Sequence, residues 1–115
     1  VSFNLLDPQG HPIPYERVEA AAREQGVSVR GGCFCNPGAA EVAFGMPAAE
    51  TRACLEKLRD GFSLARFRGC LGGGVAVGAV RASFGMATVR EDLDRLLAVL
   101  RELTTSASMS TPARA

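Results

Sequence analysis

The chain is short of several features that would commit it to a function. Arg, Glu, Gly or Pro interrupts the apolar residues every few positions, so no run of about 18 exists to form a membrane-spanning helix. Residues Val1 to Asp7 have neither a basic flank nor an A-x-A-like cleavage site, and read as a strand instead of a signal peptide. Thirteen basic and twelve acidic residues leave a net charge of +1, with neither sign gathered into a long block. That balance gives no electrostatic case for a nucleic-acid partner, and the expected setting is cytoplasmic, without membrane or nucleic acid. Histidine occurs once, as His11 beside Pro12, and is expected to be a solvated turn residue with no catalytic role. Lysine also occurs once, at Lys57.

What is present suits one domain. The 115 residues are 47% hydrophobic, enough for a single core and too few for two ordinary ones. Val1 stands directly on an apolar strand with no lead-in, which reads as a piece of a longer chain. Val1, Phe3 and Leu5 share a face at period two, and Asp7-Pro8-Gln9-Gly10 supplies a turn. Pro14, the spacing of Val18, Ala21 and Ala22, and Gly26 predict a helix over 15–25. Residues 27–30 alternate as a short strand that delivers the chain into an irregular loop, Gly31 to Gly38. A second helix is expected from Pro47 to Arg59. Residues 62–77, with Gly69, Gly72, Gly73 and Gly74, read as a mobile connection without regular structure. Gly78 to Phe84 predicts a strand with Val80, Ala82 and Phe84 on one face and Arg81 on the other.

The final helix carries the clearest signal. Thr88 and Glu91 are spaced as a capping box, and Val89, Leu93, Leu96, Leu97, Leu100 and Leu103 form one apolar stripe. Residues 104–115 read as a polar, disordered tail. The expected fold is α+β: a small antiparallel or mixed sheet of about three strands with helices packed on one face.

Four cysteines allow two disulfides, but a chain with this apolar content needs no staples, and Cys33 and Cys35 are too close for an ordinary bridge. Free thiols are expected. Cys54 on a helix and Cys70 in a loop read as small buried hydrophobes. Cys33 and Cys35, on a glycine-bounded loop, read as reactive, because an accessible thiol near positive charge forms its thiolate more readily. Local chemistry does not rank the two. A metal centre would need further ligands at suitable spacing, and none is expected. Arg81, on a strand opposite an apolar row, can grip a carboxylate with its planar fork or simply face solvent. Arg30 ends the preceding strand, and the sequence does not show whether the two converge.

Two separated motifs carry a family resemblance. The first is Val29-Arg30-Gly31-Gly32-Cys33-Phe34-Cys35-Asn36-Pro37-Gly38. The second is Gly78-Ala79-Val80-Arg81-Ala82-Ser83-Phe84-Gly85, followed by Glu91-Asp92. Together they resemble the C-terminal small domain of class V aminotransferase-fold enzymes, especially molybdenum-cofactor sulfurases and cysteine desulfurases, over nearly the whole chain. The resemblance implies a small domain over 1–103 from a pyridoxal-phosphate enzyme that accepts sulfur from cysteine as a persulfide. It assigns the nucleophile to Cys35, with Cys33 tuning or relaying. It gives Arg81, assisted by Arg30, the carboxylate of a small amino-acid substrate. It also implies a homodimer and a sulfur-acceptor protein or cofactor.

Two departures bear on this reading. Ala40 stands where sulfurases carry a third cysteine, and Gly31 where threonine is common. The Schiff-base lysine belongs to a large N-terminal domain, and Lys57 sits on an unrelated helix, so pyridoxal phosphate is expected to be held by a domain absent from this chain. The isolated chain is accordingly expected to be inactive as a desulfurase. A class V aminotransferase or lyase without sulfurase activity, and a non-catalytic thiol carrier, are the alternatives.

Overall fold

A computed structural model describes residues 1–32, 42–72 and 74–109, with side chains through 106. Three short strands, β1 (Ser2–Phe3), β2 (Arg30–Gly32) and β3 (Ala79–Arg81), form one antiparallel sheet in the order β1-β3-β2. The last strand in sequence is therefore the central one. Ser2 pairs with Arg81 and Phe3 with Val80 on one side, while Arg30, Gly31 and Gly32 pair with Arg81, Val80 and Ala79 on the other. Reciprocal backbone bonds between Val1 and Ala82, at 2.8 and 2.9 Å, continue the β1 ladder by one step. This is the small α+β sheet expected from the sequence.

Helix α1 (Tyr15–Glu24) begins after Pro14, whose fixed φ suits a helix start. It ends at Gly26, whose φ of 70° lies in the left-handed region open to glycine. Its Val18 and Ala22 are fully buried, as their spacing predicts. With Ile13, Val80, Val99 and Leu103 they make the main core, against which Phe3, Leu5 and Val29 pack. Val80 thus turns to the helices while Arg81 is exposed.

Helix α2 (Ala48–Lys57) follows its predicted span closely. Residues 64–70, expected to be irregular, form a helix, α3 (Leu64–Cys70). The Ser63 hydroxyl caps it by accepting from the Arg66 N–H, and Phe67 and Leu71 give it a buried side. Glycine content masks this helix because Gly69 falls inside it and Gly72 follows its C-cap Leu71. Phe67, Leu71, Cys54, Leu58 and Val77 form a second small core.

Helix α4 (Arg90–Met109) differs from expectation in three ways. Its start lies one residue later: the Asp92 carboxylate accepts from the Val89 N–H, while the Thr88 hydroxyl accepts from Gly85 N–H. The reciprocal half of a capping box is therefore made by Asp92, not Glu91. Its buried seam is Leu96, Val99 and Leu103, whereas Val89, Leu93 and Leu97 are exposed. The expected stripe spans more of the helix circumference than the sheet covers. The helix also runs past Leu103 to Met109, with the Thr104 and Thr105 hydroxyls folded back onto the Arg101 carbonyl. Residues 104–109 are thus helical, and the rest of the expected tail lies outside the described residues.

The strand expected over 27–30 begins only at Arg30, and Gly31 and Gly32, expected in the loop, belong to β2. Their pairing with Val80 and Ala79 explains the shift, since β3 supplies a ladder that local propensity does not reveal.

Candidate functional site

Antiparallel register sets Arg30 directly opposite Arg81. Partners in such a ladder lie roughly 4.5–5.5 Å apart at Cα and project from the same sheet face, so the two guanidinium groups leave neighbouring positions. Both residues are exposed. Among the described residues neither has an ion-pair or side-chain hydrogen-bond partner. Two like charges set opposite each other without an acid between them make a place where an anion is favoured. The planar forks of two arginines suit a carboxylate in particular.

Several contacts hold β2 in this register. The Glu19 carboxylate of α1 accepts from the Gly31 N–H at 2.7 Å. That amide is thereby directed to α1 and away from β3. The Tyr15 ring fills the space beside both Gly31 and Gly78, where a Cβ at either position would collide with it. Gly78 has a second reason to be glycine: its φ is 93°, and the Gly32 carbonyl oxygen crowds the same position. Arg68 of α3 lies over the Tyr15 ring, 5.8 Å from its centre, and donates to both Glu16 carboxylate oxygens at 3.1 and 3.2 Å. Burial works against ionisation of Glu16, but its own backbone N–H and Arg68 outweigh that and hold the carboxyl below its ordinary range.

Cys33 and Cys35 lie outside the described residues, immediately after β2. The other two cysteines are not free: Cys54 of α2 and Cys70 at the end of α3 form a disulfide, which overturns the expectation of free thiols at these two positions. The pairing depends on α3, which brings Cys70 out of the expected loop and against α2. His11 is exposed and pairs with Asp7 at 3.5 Å across the turn, the solvated position its neighbours predict. Asp7 binds the turn together by accepting from the backbone N–H of His11 and Gln9, which holds its carboxyl below the usual range. Among the described residues no cluster of three His, Cys, Asp or Glu side chains could hold a metal ion. None of the helices among those residues is long and apolar enough to cross a membrane.

A polypeptide of the mosquito Anopheles gambiae named molybdenum cofactor sulfurase is 33% identical to this chain over 112 residues. The alignment covers 97% of the chain and 14% of the relative. The chain is similar to one segment of molybdenum cofactor sulfurases. Proteins of that name from tomato and Arabidopsis thaliana are 38% and 34% identical over 92 and 100 residues, which is 80% and 84% of the chain and 11% of each relative. The chain thus spans only a small fraction of the length of the sulfurases it matches. No family model matches the chain, and no solved structure matches it.

Pyridoxal phosphate does not fit the side chains of this segment. Covalent attachment needs a lysine directed into a site, and Lys57 is exposed at the last position of α2.

Proposed function

We propose that this chain is the part of a sulfur-mobilising enzyme that grips the carboxylate of a small amino acid and presents the thiol that receives its sulfur. The observation that carries this reading is the cross-strand pair Arg30 and Arg81, exposed and without an acidic partner among the described residues. Its order in the chain supports the same reading, because β2 leads from Arg30 through Gly31 and Gly32 directly into Cys33-Phe34-Cys35.

Arg81 takes the substrate carboxylate, and Arg30 shares the charge from the opposing strand. Cys35 accepts the sulfur as a persulfide, and Cys33 tunes or relays it. Similarity to segments of proteins named molybdenum cofactor sulfurase favours this chemistry over an aminotransferase or lyase that uses the thiols otherwise. Pyridoxal phosphate, which activates amino acids by withdrawing electrons, is assigned to a separate domain, and the working unit is a homodimer of the complete enzyme passing sulfur to an acceptor protein or cofactor.

The test uses the chain joined to its cofactor-bearing domain. Cys35→Ser should abolish persulfide formation while leaving the cofactor absorbance intact, and Cys33→Ser should be milder. Arg81→Ala should raise KM for cysteine by roughly tenfold or more, as expected for a lost charge-assisted contact. Equal loss from both cysteine variants would overturn the assignment of Cys35. The isolated chain should release no sulfide from cysteine.

A further inference from the structure

The Cys54–Cys70 disulfide lies outside the sulfur chemistry proposed above. It joins α2 to the end of α3 across 16 residues of chain. Cys54 is buried and Cys70 is exposed, so the bond has one open side. We propose that Cys54–Cys70 is a site of reversible thiol–disulfide exchange with a dithiol reductant, and that its state is passed through Arg68 and Tyr15 to the strand pair carrying Arg30 and Arg81.

Exchange proceeds from the exposed end. A thiolate of the dithiol bonds to the Cys70 sulfur, the bond to Cys54 breaks, and Cys54 leaves as a thiolate that then takes a proton. The second thiol of the reductant displaces Cys70 and closes the reductant's own disulfide. Two electrons and two protons pass from the dithiol to the chain.

Thr51 gives the buried end a specific feature. Its hydroxyl is buried and has no hydrogen-bond partner among the described residues. It stands one turn ahead of Cys54 on the buried side of α2, and residues three apart on a helix are neighbours. A disulfide sulfur accepts hydrogen bonds weakly and a thiolate accepts them well, so reduction offers this orphaned donor a partner and eases the departure of Cys54.

The output follows from what α3 holds. Arg68 lies two residues before Cys70 and ties α3 to α1 through Glu16 and the face of Tyr15. Tyr15 in turn occupies the space beside Gly31 and Gly78, the residues next to Arg30 and to the start of β3. Opening the disulfide leaves the Phe67 and Leu71 packing in place but frees the end of α3, so Arg68 loosens first. The proposal does not rest on Cys35 chemistry and would survive its failure.

The test uses the 115-residue chain carrying Cys33→Ser and Cys35→Ser, so that only Cys54 and Cys70 titrate. Samples equilibrated in dithiothreitol redox buffers and trapped with N-ethylmaleimide should pass from no adduct to two adducts in a single two-electron transition. The amide resonances of Gly31 and Gly78 should shift along that same transition. Arg68→Ala in the oxidised chain should move those resonances toward their reduced positions. Thr51→Val should slow reduction by roughly three- to tenfold while Thr51→Ser keeps the rate, the scale expected for one hydrogen bond to a sulfur that carries only part of its charge as the bond breaks. Absence of a Cys54–Cys70 cross-linked peptide in the oxidised chain would overturn the proposal. So would reduction that leaves Gly31 and Gly78 unmoved, or reduction that unfolds the chain by far-UV circular dichroism, since either makes the bond a staple alone. An unchanged rate in Thr51→Val would overturn the part given to that hydroxyl.

Discussion

Arg30 and Arg81 occupy opposed positions on neighbouring strands, so the exposed face of the sheet carries two positive charges where a stable ladder would ordinarily place opposite ones. The arrangement favours anion binding at a cost to the unliganded fold. Replacing Arg30 by Gln should therefore raise stability by about 0.2–1 kcal/mol at low salt, and the gain should shrink as salt screens the pair. Thermal melts of the two chains across a salt series measure this. A stability gain independent of salt would point to packing instead of charge.

The Tyr15 ring and Gly31 make a steric pair. Gly31→Ala should destabilise the chain by roughly 1–3 kcal/mol, because the added methyl meets the ring directly and the neighbouring ladder leaves it no room to retreat. The same substitution made in a Tyr15→Ala background should cost much less. Denaturant titrations of the four chains in this cycle give the coupling directly.

Acidification should release α3 from α1. The folded chain holds the Glu16 carboxyl below its ordinary value of 4.5, so the ionised form favours the folded state. Its contribution is present above about 4.5 and is lost as pH falls through the lower folded-state value. The melting temperature of the native chain should consequently drop more steeply below pH 4.5 than that of Glu16→Gln. Asp7, also held low, adds to the fall in both chains and cancels in the comparison.

How far the sequence could be read depended on whether a feature was local. Pro14, Gly26 and the Val18–Ala22 spacing define α1 within its own residues, and the structure keeps nearly those bounds. The alternation around Arg81 likewise predicts an exposed arginine beside a buried Val80. Helix α3 is hidden because Gly69 and the glycines after Leu71 dominate the composition, and its Ser63 cap emerges only with the structure. The disulfide was hidden with it, since Cys70 meets Cys54 only once α3 exists. The opposition of Arg30 and Arg81 is a matter of register between strands about fifty residues apart, which one-dimensional spacing does not encode. The sector of α4 that is buried depends similarly on where the sheet lies, so the leucine count alone overstated the seam.

The Glu19 carboxylate on the Gly31 amide has a consequence beyond the geometry of the site. Strand β2 is an outer strand, and an outward-facing N–H on such a strand is a template onto which another polypeptide can add. Glu19 satisfies that donor from within the chain and places a negative charge along the open border. The β2 margin of the sheet is thereby protected from edge-to-edge pairing with another strand.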